Sequence, residues 1–328
     1  MPTSEIRKDP ITGQMVIVAF KRSKRPHGLI VSKKRIHQPI NKCPFENPLK
    51  SGHKEPLFLI EKERGDWSVM VILNKYPMVT FQKFFKKREW FFEKESAIGQ
   101  AEVVLTRDHK KSLAELPKIN TLEMLLAFRE RYNHLSLNPK IKFVFPFINL
   151  GKTAGASITH PHGQIISLSI IPPYVQKILK GSENFYKKRK KCFYCSNINW
   201  EKKEKKRIIY ENKEYLSFCP YISTNPFEIH IYPKKHLANF GKVSDESLRY
   251  LSEALYDALR RIYKELNDPD YNLFIYSSFL KEHQKFFHFH LHLIPKTETI
   301  AGFELSSGME ACGLAPEEAA KRLRRIKI

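Results

Sequence analysis

The sequence of 328 residues predicts an α+β fold built from two tandem copies of one unit. Three observations predict it: both halves have the same order of elements, each contains two histidines at nearly the same separation, and each closes on an alternating histidine motif. His109 and His160 are 51 residues apart, and His236 and His288 are 52 residues apart. Because unrelated segments would rarely share both element order and spacing, we infer an internal duplication.

The first copy opens at Cys43 and is predicted to contain one helix among several strands. Asn120 and Glu123 resemble a capping box, which predicts a helix that runs from there to about Leu135. The flanking segments are rich in β-branched and apolar residues, which favour strands. The strand-like segments of this copy are 67–74, 101–106, 142–148 and 160–166.

The second copy opens at Cys192 and repeats this order. Ser244 is the predicted N-cap of a helix in which apolar residues recur at three- and four-residue steps from Leu248 to Leu266. The two copies join near residues 180–190. The strand-like segments of this copy are 214–219, 228–232, 272–276 and 288–294.

The sequence is strongly basic, with 57 Lys and Arg against 34 Asp and Glu and a formal net charge of +23. Basic runs occupy 187–191, 202–207 and 321–327, and the first two flank a cysteine pair rather than a helix suited to a nucleic-acid groove. We therefore interpret them as solvated surface, with a nucleic-acid-binding module as the alternative. No stretch of about 18 apolar residues predicts a transmembrane helix, so we expect no membrane partner.

The cysteine count is odd, and the N-terminal residues lack the apolar stretch of a signal peptide. Both observations favour the reducing cytoplasm. There, the Cys-x-x-Cys pair formed by Cys192 and Cys195 indicates metal binding or redox chemistry rather than a structural disulfide. The five cysteines are Cys43, Cys192, Cys195, Cys219 and Cys312.

Alternating polar residues predict a functional site in each copy. In a strand, residues at i, i+2 and i+4 face the same side. His288, His290 and His292 are therefore expected to project together, as are the members of the matching trio in the first copy. That trio is His160, His162 and Gln164.

The motif His-Pro-His-Gly-Gln at 160–164, preceded by the loop 149–157, resembles the signature of the galactose-1-phosphate uridylyltransferase branch of the histidine-triad superfamily. The segments 7–13, 22–26, 73–77 and 302–304 are also similar to that family, so the resemblance covers nearly the whole chain. It implies two tandem histidine-triad-like units, each an antiparallel sheet with flanking helices, at 1–182 and 183–328. It also implies a homodimer and, as ligands, a nucleotide sugar and a sugar 1-phosphate.

The residue types of the 160–164 motif indicate nucleophilic catalysis. A neutral imidazole is a good nucleophile near pH 7, so His162 is placed to attack the α-phosphorus of a nucleoside-diphosphate sugar. Because the leaving sugar 1-phosphate scarcely needs a proton, Gln164 suffices to hydrogen-bond the phosphoryl oxygens.

The remaining substrate contacts are less specific in the sequence. Backbone N–H groups from Gly155 to Ser157, with the Ser157 hydroxyl, are expected to cradle phosphate groups. The resemblance alone implies the other roles: phosphate contacts for Arg22 and Arg25, a nucleoside contact for Asn74, a substrate-loop position for Asn149, and a sugar-facing position for Glu304.

Two sets of side chains are candidate ligands of structural zinc, so one or two ions per chain are expected. Cysteine and histidine suit closed tetrahedral zinc sites. In the first set the fourth ligand stays open between Glu46, where the family usually has cysteine, and His53. The resemblance also implies a weaker alternative, an iron site that uses Glu183 and His283. The sets are Cys43, His109 and His160, and Cys192, Cys195, His236 and His288.

Together with this resemblance, the residues predict a cytoplasmic hexose-1-phosphate uridylyltransferase that acts by double displacement through His162, with no organic cofactor. An ADP-glucose phosphorylase with phosphate as acceptor is the alternative within the same chemistry. A basic zinc-containing nucleic-acid-binding protein is the alternative from another class. Gln164 in place of a third histidine disfavours a nucleotide hydrolase.

Overall fold

The computed structural model describes residues 4–20, 35 and 37–328. No helix in these described ranges is both long enough and apolar enough to cross a membrane. The strands of the N-terminal half and its helix are β1 (Glu5–Lys8), β2 (Met15–Val18), β3 (Phe58–Glu61), β4 (Trp67–Leu73), β5 (Lys86–Glu89), β6 (Phe92–Glu95), β7 (Gly99–Thr106), α1 (Lys118–Ser136), β8 (Phe143–Leu150) and β9 (His162–Leu168).

The C-terminal half contains more helix. Its elements are α2 (Pro173–Arg189), α3 (Phe193–Glu204), β10 (Ile208–Glu211), β11 (Tyr215–Phe218), β12 (Ile229–Pro233), α4 (Asp245–Leu266), β13 (Tyr271–Tyr276), β14 (His290–Pro295), α5 (Gly302–Ser307), β15 (Glu310–Cys312) and α6 (Pro316–Arg325).

One antiparallel sheet of ten strands runs through both halves, in the order β10-β11-β12-β14-β13-β8-β9-β7-β4-β3. Read outward from its centre, each half contributes five strands in the same relative order, and β8 pairs with β13 where the halves meet. The predicted α+β class is confirmed, and the structure adds that the two five-stranded sheets are joined edge to edge. This pairing satisfies two strand edges that would otherwise present unpaired backbone groups.

The helices α1 and α4 cover one face of this sheet. Leu248, Leu251, Leu255 and Leu259 on α4 are buried in the same core as apolar residues of the strands. The helix begins as predicted, because the Ser244 hydroxyl accepts a hydrogen bond from the backbone N–H of Ser247 at 3.2 Å. The periodic leucines of the sequence are therefore the face that packs on the sheet.

The start of α1 differs from the prediction. The helix begins at Lys118, directly after Pro117, and Asn120 lies inside its first turn. The Asn120 side-chain amide donates to the Glu123 carboxylate at 3.1 Å instead of capping the helix. The non-helical backbone of Pro117 places the boundary before the asparagine.

The opposite face of the sheet carries aromatic and histidine side chains. The ring of Phe145 lies 5.8 Å from that of Tyr276, and the Tyr276 ring lies 5.3 Å from that of His290. Because side chains alternate across a strand, the residues that face the helices are apolar while those between them form this second face. Both histidine motifs lie on it.

The N-terminal strands pack on the second unit. β1 and β2 form a three-stranded sheet with β15. Arg7 donates to the backbone carbonyl of Tyr221 at 3.0 Å and pairs with Glu317 at 3.1 Å. The predicted domain boundary between 182 and 183 stays a prediction, and residues 4–18 lie against the half that follows it.

The basic runs are mostly exposed, with one exception. Arg207 is buried, pairs with Glu317 at 2.8 Å and lies 4.3 Å over the ring of Trp200. Residues 187–191 are all exposed. Part of the second run therefore belongs to the interior rather than to solvated surface.

Candidate active site and metal centres

His162 is the first residue of β9 and is held in one tautomer. Its Nδ1 atom lies 2.8 Å from the backbone carbonyl oxygen of His160. Because a carbonyl oxygen can only accept, Nδ1 carries the proton and Nε2 keeps its lone pair. Burial lowers the pKa of His162, which favours the neutral, nucleophilic imidazole. The ring packs 5.1 Å from that of Phe45.

Gly163 and Gln164 continue the strand with alternating orientations. A Cβ atom on Gly163 would lie 2.6 Å from the Phe128 ring of α1, so the glycine allows the helix to approach β9. Gln164 points to the other face and is half-buried between Val103 of β7 and Phe147 of β8. Its amide therefore lies on the same face as His162, as the sequence predicts.

The loop 151–157 follows β8 and is fixed by the second unit. Its first residue, Gly151, has φ +86°, and a Cβ atom there would lie 1.7 Å from Oδ1 of Asp270. The Asp270 carboxylate accepts from the backbone N–H of Thr153 at 2.9 Å and from its hydroxyl at 2.7 Å. Arg35 approaches the same carboxylate at 3.3 Å. The backbone of the loop is therefore organised by a residue at the start of β13.

Asn149 faces this loop from the end of β8. Its side-chain oxygen accepts from the Asn272 amide at 2.8 Å, and the same amide donates to the carbonyl of Ala154 at 2.8 Å. Gly155 has φ +91° and is exposed, as is Ser157. Three of the predicted substrate residues thus lie on or beside one loop with exposed positions.

The other predicted substrate residues are more dispersed. Asn74 follows β4, where its side-chain oxygen accepts from the backbone N–H of Tyr76 at 3.0 Å. Arg22 and Arg25 lie outside the described residues. Glu304 lies on α5, beside a small cavity that it shares with Asn225 of the second unit. That cavity is on the β12 side of the sheet, and β12 is four strands, or about 19 Å, from β9.

The first candidate metal group includes His160, which lies two residues before His162. The ligand atoms of Cys43, His109 and His160 are within 4.8 Å of one another, and all three residues are buried. Nε2 of His160 lies 2.7 Å from the carbonyl of Thr106, and Nε2 of His109 lies 2.8 Å from that of Gln38. Both imidazoles therefore turn an unprotonated Nδ1 toward the common centre.

Two further observations fit a cation at this centre. Burial lowers the pKa of His160 to about 4, so the ring is neutral at pH 7, the form that ligates metals. Nδ1 of His109 and Oε2 of Glu46 are buried and have no hydrogen-bond partner among the described residues. A metal ion would satisfy both atoms.

Glu46 fits the fourth position better than His53. Oε2 of Glu46 lies 3.4 Å from Nδ1 of His109 and 3.7 Å from Nδ1 of His160, while its Oε1 accepts from Arg107 at 3.0 Å. His53 instead packs beside Phe45, with 6.1 Å between ring centroids. Of the two candidates for the fourth position, Glu46 is therefore the one that approaches the candidate ligand atoms.

The second candidate metal group contains Cys192, Cys195, His236 and His288, whose ligand atoms also lie within 4.8 Å of one another. Sγ of Cys195 is 3.4 Å from Nδ1 of His236 and 3.6 Å from Nδ1 of His288. A hydrogen bond from Cys195, assisted by both histidines, holds the pKa of Cys192 well below its usual range. A thiolate is the form that binds zinc.

The backbone contacts of the two groups correspond. Nε2 of His288 lies 2.8 Å from the carbonyl of Pro233, and Nε2 of His236 lies 2.8 Å from that of Gln284. These are the same atoms and nearly the same distances as at His160 and His109. Carbonyl groups that orient ligating histidines in this way are typical of metal sites.

The alternative iron ligands lie elsewhere. Glu183 forms an ion pair with Lys187 at 2.7 Å, and Nδ1 of His283 lies 2.6 Å from the Ser278 hydroxyl. Neither residue belongs to a close group of potential ligand atoms in the described part of the chain.

His290 occupies the position of His162 in the second copy, with Nδ1 2.7 Å from the carbonyl of His288. It is only 2 % exposed. The rings of Tyr194, Tyr232 and Tyr276 lie 4.8, 5.2 and 5.3 Å from it. The imidazole of His290 is therefore covered by aromatic rings and nearly inaccessible to solvent.

Several residues that shape these sites escape sequence reasoning. Asp270 and Asn272 contact the 151–157 loop although they lie about 120 residues further along the chain.

A third group, Glu228, His230 and His292, also brings potential ligand atoms within 4.8 Å of one another. The register of β12 against β14, which pairs His230 with His292, creates it. No spacing in the sequence indicates this pairing.

The chain is similar to known proteins over nearly its whole length. The model of the family "Galactose-1-phosphate uridyl transferase, N-terminal domain" matches residues 2–172, and the HIT domain model matches residues 201–299. The chain is 30% identical to an ADP-glucose phosphorylase of Arabidopsis thaliana, with 99% of this chain and 93% of that protein covered. It is 28% identical to a galactose-1-phosphate uridylyltransferase of Thermotoga maritima, with 99% of each covered.

Solved structures show the same two similarities. The Arabidopsis thaliana ADP-glucose phosphorylase with bound ADP-glucose has a TM-score of 0.83 at 27% identity, with 99% of this chain and 100% of that chain covered. A uridylyltransferase structure has a TM-score of 0.75 at 28% identity, with 98% and 97% covered. Both relatives span essentially the whole molecule.

Proposed function

Because the chain belongs to the galactose-1-phosphate uridylyltransferase family, whose members here are nucleotidyltransferases, we propose that it transfers a nucleotidyl group through a covalent intermediate on His162. The observation that carries this proposal is the hydrogen bond from Nδ1 of His162 to the His160 carbonyl. It leaves the Nε2 lone pair available on the same sheet face as the Gln164 amide. A nucleophile and an amide donor are the two groups that the reaction requires.

The first step breaks the bond between the α-phosphorus and the oxygen of the leaving hexose 1-phosphate. Nε2 of His162 forms the new bond to phosphorus, and the electron pair leaves with the hexose 1-phosphate, which needs no proton near neutral pH. Nδ1 keeps its proton, and the His160 carbonyl stabilises the positive charge of the phosphorylated ring. The Gln164 amide donates to the phosphoryl oxygens.

The second step reverses this displacement. A phosphate oxygen of the acceptor attacks the phosphorus, and the electron pair of the N–P bond returns to Nε2. The backbone N–H groups of residues 153–156 already donate to Asp270 or to carbonyl groups of the loop. We therefore assign the phosphate contact to the backbone N–H and hydroxyl groups of exposed Ser157, at the end of the loop that Asp270 and Asn272 hold in place. No net proton transfer is needed in either step.

The first candidate acceptor is a hexose 1-phosphate, with a uridine nucleotide as donor. Family membership supports this reaction. The second candidate is inorganic phosphate acting on ADP-glucose. The identity of 30% and the TM-score of 0.83 to the Arabidopsis thaliana ADP-glucose phosphorylase favour it.

Isotope exchange tests the double displacement without knowledge of the acceptor. With UDP-glucose or ADP-glucose as donor, labelled glucose 1-phosphate should enter the donor in the absence of any second acceptor. His162→Ala should abolish the exchange, whereas His134→Ala, an exposed histidine of α1, should leave it intact. Exchange that persists in His162→Ala would contradict the proposal.

Acceptor competition then separates the two candidates. After the protein is loaded with UDP-glucose or ADP-glucose, galactose 1-phosphate and inorganic phosphate are offered together. A UDP-sugar product identifies the uridylyltransferase, and ADP identifies the phosphorylase. Preference for both the uridine donor and galactose 1-phosphate is the result that the first candidate requires.

We assign structural zinc to both candidate metal groups. Bound zinc would crosslink the segment around Cys43 to the strand end at His160, and the segment around Cys192 to that at His288. Neither group includes His162, so a bound ion would support the positions of the strands rather than take part in the displacement.

A homodimer in the cytoplasm completes the proposal. Cytoplasmic location is supported by five cysteines that are all free of disulfide bonds. Because Glu304 and His162 lie on distant parts of one chain, a homodimer would allow Glu304 of one chain to serve the site of the other. We expect neither nucleic acid nor membrane as a partner.

Complementation tests this arrangement. Chains carrying His162→Ala and chains carrying Glu304→Ala should each be inactive alone. When they are co-expressed, mixed dimers should regain activity, because one site then combines both intact residues. Failure of mixed dimers to regain activity would place Glu304 and His162 in the same site of one chain.

A further inference from the structure

A cavity of about 450 Å³ opens on the second unit, away from His162. It lies between α3, the turn after β11, and β12. Phe193 and Trp200 of α3, Tyr221 of the turn and Tyr232 of β12 contribute aromatic side chains to its walls. Asn197 and His230 contribute polar groups. This volume lies within the range of small-molecule sites.

The cavity is the second copy's counterpart of the region beside His162. Tyr232 occupies the position of Leu105, since each lies on the strand next to the one that carries the motif histidine. The turn that contains Tyr221 follows β11 as the turn after Leu73 follows β4. The cavity therefore occupies the position in the second copy that corresponds to the region beside Leu105 and His162 in the first, and its lining is aromatic.

No reaction of the His162 kind can occur in this cleft. Tyr232, itself 4% exposed, lines the cavity, and its ring packs 5.2 Å from that of His290. The ring of Tyr194 stacks on that of His290 at 4.8 Å and lies 5.6 Å from that of Tyr232. A molecule in the cavity would contact Tyr232 and His230 without reaching the imidazole of His290.

The aromatic walls are held rigidly. The guanidinium of Arg7 lies 4.1 Å from the ring of Tyr221, and that of Arg207 lies 4.3 Å from the ring of Trp200. Both guanidinium groups form ion pairs with Glu317. The rings are thus fixed before any ligand arrives, which reduces the entropy that binding would cost.

The charges around the cavity define the ligand. Among the described residues that line it, Lys8 and Asp9 carry the only formal charges. Oδ1 of Asp9 already accepts from the backbone N–H groups of Ile11 and Thr12 at 2.7 and 2.8 Å. Arg7 and Arg207 are engaged by Glu317. Among the described lining residues Lys8 is therefore the single cation, carried on one exposed side chain. The cavity thus offers fewer cations than a diphosphate calls for, and it suits a planar ring with polar edges.

We propose that this cavity is a second, non-reacting site that binds a purine or pyrimidine nucleoside. The base stacks on the aromatic walls, and the Asn197 amide hydrogen-bonds its polar edge. The site is separate from the nucleotidyl site at His162, so it does not depend on the proposed function.

Calorimetric titration of the full chain with adenosine and with uridine tests the proposal. Trp200→Ala should weaken nucleoside binding about tenfold or more, the usual effect of removing one stacking ring. Trp200→Phe should retain binding. Trp90→Ala, at an exposed position of the β5–β6 turn, is the matched control and should change nothing. The exchange reaction at His162 should be unaltered in all three variants.

A second readout does not depend on the folding of the alanine variant. Nucleoside binding should quench the fluorescence of the wild type and of Trp90→Phe but not of Trp200→Phe. Asn197→Ala should weaken binding without loss of thermal stability. Absence of nucleoside binding at millimolar concentration, or binding that Trp200→Ala and Asn197→Ala leave unchanged, would overturn the proposal.

Discussion

The Nδ1 atom of His162 lies 2.8 Å from the backbone carbonyl oxygen of His160. The segment 160–162 therefore orients both of its imidazole rings. His160 directs its Nδ1 to the first candidate metal group, while its carbonyl directs Nε2 of His162 to the open face. A metal ion bound by His160 would therefore position the nucleophile through one peptide unit. The predictions below follow from this arrangement and from the contacts around it.

The carboxylate of Asp270 should be required for transfer although it lies in the second unit. Asp270→Asn removes a charged acceptor from Thr153 and a partner from Arg35, so the 151–157 loop should lose its fixed backbone geometry. Hydrogen bonds to charged groups are worth about 1.5–3 kcal/mol, which predicts a kcat/KM about 10- to 100-fold lower. Steady-state kinetics of the exchange reaction measures this decrease in kcat/KM.

Asp245→Asn is the control, because Asp245 is exposed and forms an ion pair with Arg129. It should leave kcat/KM unchanged. If Asp270→Asn behaves like this control, the loop does not depend on the second unit.

Glu46 should determine how much zinc the protein holds. We expect two ions per chain in the wild type, one in Glu46→Ala and two in Glu46→Cys, since a thiolate would restore the usual ligand set. Elemental analysis of the purified protein gives the ratio directly. His53→Ala should keep two ions, and loss of an ion from this variant instead would show that the imidazole completes the site.

Stability should depend on the ionisation of Glu317. Burial opposes its charge, but hydrogen bonds from Arg7 and Arg207 outweigh that effect and lower the pKa of the carboxyl group. A carboxyl group whose pKa is lower in the folded than in the unfolded state stabilises the fold at pH values above its unfolded pKa. This contribution disappears as the pH falls through the lowered pKa of the folded state. Glu317→Gln should therefore reduce the free energy of unfolding by about 1–3 kcal/mol at pH 7.

The difference between Glu317→Gln and the wild type should shrink toward acidic pH. Denaturant unfolding at a series of pH values measures this convergence. Glu318→Gln, on the exposed side of the same helix, should show no such difference at any pH. A constant difference across the series would mean that the charge of Glu317 is not the source of the stability.

Local patterns in the sequence account for much of the fold. The strand segments follow from alternation, α4 follows from its leucine periodicity and Ser244 cap, and the matched histidine spacings reveal the duplication. The predicted start of α1 is wrong by three residues, because Pro117 rather than Asn120 is the N-cap. The four-residue second metal group also follows from spacing, since its members occupy corresponding positions in both copies.

Contacts between the two copies could not be predicted in this way. The pairing of β8 with β13 decides that Asp270 and Asn272 reach the 151–157 loop, and neither residue belongs to a motif. The choice of Glu46 over His53 likewise depends on distances to His109 and His160. Register between distant strands, rather than local pattern, completes the site.

The most direct test of the central claim is to trap and locate the covalent intermediate. The protein is incubated with UDP-glucose or ADP-glucose labelled in the α-phosphate, quenched in base and digested, and the label is mapped by mass spectrometry. We predict an acid-labile, base-stable nucleotidyl group on Nε2 of His162 and none in His162→Ala. A label on any other residue, or full transfer activity in His162→Ala, would contradict the account.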